Sequence, residues 1–105
     1  MSYVVTVHFR AKAEYRAAFR AAMVENANAS RETEPGCRQF DVCEGADGAD
    51  IFLYEIYDDE AAFQAHLASL HYQRFDALVT AWLEKKDVRK YARISPTPHA
   101  TRPMP

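Results

Sequence analysis

The run Tyr54-Glu-Ile-Tyr57-Asp-Asp-Glu60-Ala-Ala-Phe63-Gln-Ala-His66, followed by His71-Tyr72, decides the fold of this chain because its period changes midway. Up to Tyr57 the apolar residues recur with strand spacing. Beyond Asp58 they recur at spacings of three and four, the mark of an amphipathic helix. Asp58 or Asp59 is the type of residue that caps a helix start, and the face that follows carries Phe63, His66, Leu67 and Leu70. After a break near Ser69, Tyr72, Phe75, Val79 and Trp82 continue a helical pattern. The strand itself, from Asp50 to Tyr57, is apolar on both faces: Ile51, Leu53 and Tyr57 lie on one, Phe52, Tyr54 and Ile56 on the other.

Upstream, Gly45-Ala-Asp-Gly48 reads as a hairpin turn, so Cys37 to Glu44 is an antiparallel neighbour of that strand. Cys37 and Cys43 lie about 20 Å apart along such a strand, beyond the roughly 7 Å reach of a disulfide. Their even spacing predicts that both are small buried residues on one face. Glu34-Pro35-Gly36 is a helix-stop signal, and before it Tyr15, Phe19, Ala22, Asn26 and Ser30 form one helical stripe. Tyr3 to Arg10 is rich in β-branched and aromatic residues, and Val88 to Ile94 alternates as a fourth strand.

The order β-α-β-β-α-β predicts a ferredoxin-like α+β domain over residues 1–94, with a four-stranded antiparallel sheet. Residues 95–105 (SPTPHATRPMP) have no apolar period and read as a Pro-rich C-terminal arm. Two helices can cover only one face of such a sheet. The second apolar face, with Val4 opposite Val5 repeating the pattern of Phe52 and Ile56, is expected to pack on another copy, giving a homodimer.

Composition narrows the function. The 105 residues carry a net charge of −2 and no basic run, so nucleic acid and anionic membrane surfaces gain no electrostatic support as partners. No stretch approaches the roughly 20 apolar residues that span a bilayer, and Met1-Ser-Tyr-Val is not a charged leader; a cytoplasmic protein is expected. There is no Gly-rich phosphate loop, no His-x-x-x-His or Cys-x-x-Cys pair and no Gly-x-Ser-x-Gly elbow. His66 and His71 are five apart, which is not the one-turn spacing of a helical metal pair. Neither a metal nor another cofactor is expected.

A small-molecule pocket in this architecture opens between sheet and helices, and the residues turned into it are the candidates. Asn26 falls within roughly 20° of Tyr15 around the first helix, while Asn28 points away. A buried amide needs hydrogen bonds, which a ligand oxygen or backbone across the core can supply. His66 turns inward beside Phe63, and His71 stands at the helix break, where it can act as base or donor. Glu55 is mid-strand and needs a partner, whether cross-strand, histidine or substrate. Tyr54, Tyr72 and Trp82 are core, rim or ligand-stacking aromatics. Arg10 and Arg38 are solvated strand residues or contacts for an anionic group.

Taken as a set, Asn26-Ala-Asn-Ala-Ser30, Glu34-Pro-Gly-Cys37, Phe40-Asp-Val42, Tyr54 to His66 and His71-Tyr72 resemble the antibiotic biosynthesis monooxygenase superfamily, in its quinol monooxygenase and autoinducer-2 degrading isomerase branch, over about residues 3 to 94. The resemblance implies a dimeric α+β barrel with a hydrophobic pocket in each subunit. It implies oxygenation of quinols or phenols by molecular oxygen without metal or flavin. Asn26 matches the helix-one asparagine that binds substrate oxygen, and Ser30 stands where some members have tryptophan one turn later. The expected site comprises Asn26, Glu55, His66 and His71 as reacting groups and Ser30, Phe40, Tyr54, Tyr72 and Trp82 around the substrate. The isomerase branch implies instead an acid/base set of Glu55, His66 and His71 acting on a small oxygenated dione, phosphorylated or not. A non-catalytic binding or stress protein with the same pocket is the third reading.

Overall fold

Tyr3–Ala11, the β-branched run YVVTVHFRA, forms β1 in the computed structural model, which describes residues 2–96. A single 3-10 turn, Ala13–Tyr15, leads into α1, Arg16–Thr33, which buries Phe19, Met23, Asn26, Ala27 and Ser30 along one stripe. Pro35 cannot continue a helix, and the chain turns into β2, Cys37–Glu44. Gly48 takes φ +74°, a conformation that suits glycine, in the hairpin to β3, Asp50–Tyr57. There follow α2, Glu60–Ala68, α3, Leu70–Val79, a second 3-10 turn, Thr80–Trp82, and β4, Leu83–Ala92. The sheet order is β2-β3-β1-β4 with every neighbouring pair antiparallel, the ferredoxin-like α+β arrangement. Most of the expected C-terminal arm lies outside the described residues.

The core sits between the helices and one sheet face. Val5, Val7 and Phe9 of β1 meet Phe19 and Met23 of α1 and Phe63 of α2. Each such side chain contributes about 1.5–3 kcal/mol on leaving water. Caps fix the helix ends: Asp59 Oδ1 accepts from the Ala62 N–H at 2.8 Å. Ser69 serves two helices at once, donating to the His66 carbonyl at 2.6 Å and accepting from the Tyr72 N–H at 3.3 Å. No helix among the described residues is long and apolar enough to cross a membrane.

Three expectations need correction. Cys37 is buried but Cys43 is exposed, because a register shift between Cys37 and Gln39 inserts one residue into β2 and flips everything after it. β4 begins at Leu83, five residues earlier than Val88, because the ladder to β1 continues through Lys85-Lys86-Asp87 and, past a register shift, to Leu83; those charges hide a strand held by its backbone pairing to β1. Leu70 is 62% exposed rather than inward, since the Ser69 cap starts a new helix and resets its angle.

The face of the sheet away from the helices carries Phe52, 43% exposed, and Tyr91, 47% exposed. Thr6, His8 and Tyr54 share this face with them.

Where α1 gives way to β2, the chain passes directly under α2. A Cβ on Gly36 would lie 2.5 Å from Cβ of Ala62, and the Gly36 carbonyl accepts from the Asp58 N–H at 2.9 Å. Neither partner is the end of a flexible chain, so Gly36→Ala forces backbone apart and is expected to destabilise the protein by about 1–3 kcal/mol in chemical denaturation.

Candidate active site

Between helices and sheet lies a cavity of about 340 Å³. Its sheet wall is Val5, Val7 and Phe9 from β1, Leu53 and Glu55 from β3, Phe40 from β2, and Lys86, Val88 and Lys90 from β4. Met23 and Asn26 of α1, Phe63 and His66 of α2, and Tyr72 and Phe75 of α3 close the other side. The lining is mainly apolar, so its few polar groups determine what can bind.

Glu55 is 2% exposed and accepts a 2.5 Å hydrogen bond from the Tyr57 hydroxyl. Burial pushes its carboxyl up to about 7, although the Tyr57 hydroxyl and the neighbouring His66 and Lys86 oppose the rise. Burial and the adjacent Glu55 in turn raise the Tyr57 hydroxyl far above its ordinary range, so it stays a donor. Asn26 is 4% exposed and its amide oxygen is buried without a hydrogen-bond partner among the described residues.

His66 is buried among aromatic rings, with centroids 5.5 Å from Tyr57 and 5.0 Å from Tyr72. Its Nδ1 lies 2.8 Å from Glu34 Oε2, and His71 Nε2 lies 2.5 Å from the same oxygen. Burial alone would raise the Glu34 carboxyl, but the hydrogen bonds and charge of the two imidazoles outweigh it and hold the carboxyl below its ordinary value. An ionised carboxylate brings no proton. Each imidazole therefore donates its own N–H to Glu34, and Nε2 of His66 lies on the side of the ring away from Glu34.

The structure thus brings Asn26, Phe40, Glu55, His66 and Tyr72 to one cavity. Four other expected residues stand elsewhere. His71 borders a separate recess between α1 and α3 and is linked to His66 of the cavity through Glu34 and Ser30. Ser30 is fully buried, donating to the Asn26 carbonyl at 2.9 Å, and does not line the cavity. Tyr54 lies on the opposite face of the sheet, as alternation along β3 requires once Leu53 and Glu55 face the helices. Trp82 stacks on Tyr15 at 5.3 Å outside the cavity, because the helix ends at Val79 and Trp82 belongs to the following turn. Arg10 pairs with Asp50 at 3.3 Å and Arg38 with Asp58 at 2.5 Å, both away from the cavity.

Sequence reading missed Glu34, Lys86 and Lys90. Glu34 looked like part of a stop signal, and its partners are 32 and 37 residues away. Lys86 was hidden with the first half of β4, and Lys90 lay in the expected strand, where alternation alone does not mark the cavity side.

The family model for antibiotic biosynthesis monooxygenase matches residues 2–78. The protein named "Putative monooxygenase Rv0793" of Mycobacterium tuberculosis is 35% identical over 75 residues, 71% of this chain and 73% of that protein. Its solved structure superposes with a TM-score of 0.85 at 30% identity, covering 91% of this chain and 98% of that one. A structure named "Putative antibiotic biosynthesis monooxygenase" from Nitrosomonas europaea gives the same TM-score of 0.85 and 30% identity, covering 91% and 93%.

The raised carboxyl of Glu55 has a pH signature. Tyr57, His66, Glu34 and Lys86 are the ionisable groups around it. Folding favours its neutral form, so the buried carboxyl costs no ionisation energy below the ordinary value of 4.5, where both states are protonated. As pH rises through about 7 the native state loses up to about 3 kcal/mol relative to an unfolded chain that ionises freely. Glu55→Gln keeps an acceptor for Tyr57 and escapes this loss. Its stability relative to wild type, measured by urea denaturation, is expected to improve by about 2–3 kcal/mol between pH 4.5 and pH 8.

Proposed function

Since the chain belongs to the antibiotic biosynthesis monooxygenase family, we propose that it oxygenates a small quinol or phenol within the cavity, the substrate's own electrons reducing molecular oxygen. The observation that carries this reading is the orphaned amide oxygen of Asn26 on the cavity wall. A buried acceptor without a partner costs about 1–3 kcal/mol. A ligand that brings a hydroxyl donor satisfies it, and a quinol or phenol has one.

His66 supplies the base. With Nδ1–H held by Glu34, its Nε2 lone pair takes the phenolic proton, and the resulting phenolate is electron-rich enough to reduce O₂. Asn26 fixes the substrate oxygen, and the Phe and Val walls hold the ring and exclude water. The stoichiometry closes without a further reductant: a benzoquinol and O₂ give a hydroxyquinone and water, so two hydrogens leave the substrate and one oxygen atom enters it.

One observation favours a second reading, proton transfer on a small phosphorylated dione. Glu55, with a carboxyl near 7, shares the cavity with Lys86 and Lys90, two cations suited to a phosphate.

We also propose that the open sheet face seats a second copy of this chain. Phe52 and Tyr91 give that face an apolar surface that water would otherwise cover.

An oxygen electrode with a panel of quinols and dihydroxyphenols tests the first reading. Uptake of one O₂ per substrate, with one labelled atom from ¹⁸O₂ in the product, is expected; kcat falls roughly 10²-fold or more in His66→Ala, and kcat/KM falls about tenfold or more in Asn26→Ala. Absence of uptake with every substrate overturns it, and deuterium exchange into small diones without oxygen use supports the second reading instead. For assembly, sedimentation of the 12.0 kDa chain at micromolar concentration should give a species of about twice that mass, converted to monomer by Phe52→Glu.

A further inference from the structure

Behind the cavity wall, three donors from three helical segments converge. Glu34 follows the last turn of α1, His66 sits in α2, and His71 lies in the first turn of α3. Glu34 Oε2, His66 Nδ1 and His71 Nε2 all lie within 4.8 Å of one another. Hydrogen bonding explains only half of the carboxylate: Oε1 is buried with no partner among the described residues. Such an oxygen on a charged group is expensive to leave alone. Ser30 Oγ stands 3.4 Å and 3.2 Å from the same two nitrogens, and it spends its proton on the Asn26 carbonyl, so its lone pairs are left for the cluster.

We propose that Glu34, His66 and His71 bind one divalent transition-metal cation of the zinc class, and that this cation sets which nitrogen of His66 carries the proton. Two imidazoles and a carboxylate are the ligand types that zinc and cobalt take, whereas calcium and magnesium want oxygen alone. Tetrahedral bonds of about 2.0–2.2 Å place donors about 3.4 Å apart. The observed separations of 2.8 Å and 2.5 Å must therefore open by about 1 Å or less. His71 is partly exposed and Glu34 lies beyond the helix, so both can move. The recess of about 200 Å³ beside His71, with Glu25 on its wall, is the way in. A carboxylate bound through both oxygens also ends the isolation of Oε1.

The cation changes no charge on the protein ligands; it moves protons. Without it, Nδ1 of His66 is protonated and Nε2 accepts. With the cation on Nδ1, the single proton of the neutral imidazole must move to Nε2, and in His71 it moves to Nδ1. His66 then presents a donor instead of a base. This second half rests on the function proposed above, whereas binding does not.

The test uses the chelator-treated full chain. Zinc chloride titrated against a chromogenic competitor should bind with one equivalent, and cobalt chloride should give the visible absorption of a tetrahedral ion. Glu34→Gln and His71→Ala should weaken zinc at least ~100-fold; His8→Ala and Cys43→Ser should not change it. In the wild-type protein, ¹⁵N spectra should show the signals of His66 Nδ1 and His71 Nε2 shifting on zinc addition, with the proton appearing on His66 Nε2; this reading survives if a variant fails to fold. Less than one equivalent bound at micromolar free zinc, or affinity unmoved by Glu34→Gln, overturns the site. Zinc bound with the proton still on Nδ1 of His66 overturns the tautomer shift. If no quinol is ever turned over, the oxygenation reading fails while the titration and the ¹⁵N spectra still decide this one.

Discussion

A carboxylate placed beyond the last turn of a helix faces the negative end of that helix's dipole, and if it is also buried it stays ionised only when donors surround it. Glu34 is in that position, as the C-cap of α1. Its donors are not local. They come from α2 and α3, so satisfying one anion fixes the last turn of α1 against both of the other helices. The orientation of the His66 ring, and with it the chemistry of the cavity wall, follows from that requirement. Ser69 complements it: by ending α2 and starting α3 with one hydroxyl, it bends the chain so that His71 comes round to the same oxygen.

The sheet imposes the other constraint. Antiparallel pairing aligns Glu55, Val5 and Lys90 in one row across three strands, all on the helix side. A carboxyl and an ammonium are thereby built into the wall of an apolar cavity, flanking a valine. The protein keeps the carboxyl there at the expense of its ionisation, with Tyr57 as a permanent donor. Buried acids of this kind weaken a fold and persist where their proton is useful.

Much of this was legible in the residues. The change of period after Tyr57, the stop at Glu34-Pro35-Gly36 and the turn at Gly45 to Gly48 fix the element order, because each is a local signal. Helical angles put Asn26 and His66 on the inner faces for the same reason. What could not be read is what depends on exceptions to period. One extra residue in β2 reversed Cys43, one serine reset the angle of α3 and carried Leu70 outward, and the charges of β4 masked a strand held by backbone pairing. Glu34 was invisible because its meaning lies in partners more than thirty residues away. Tyr54 and Trp82 failed as cavity residues because aromatic character says nothing about side: the first is on the wrong parity, the second beyond the helix end.

β4 is an edge strand, with one row of backbone donors and acceptors open to another chain. If a second β4 added there in the antiparallel register that pairs Asp87 with Val88, Lys86 would face Arg89 and Lys85 would face Lys90, like charges on successive rungs. The strand that supplies lysines to the cavity thus also discourages ribbon-like growth. In the proposed dimer the flat face of the sheet is used instead, a contact that closes after one partner and does not propagate.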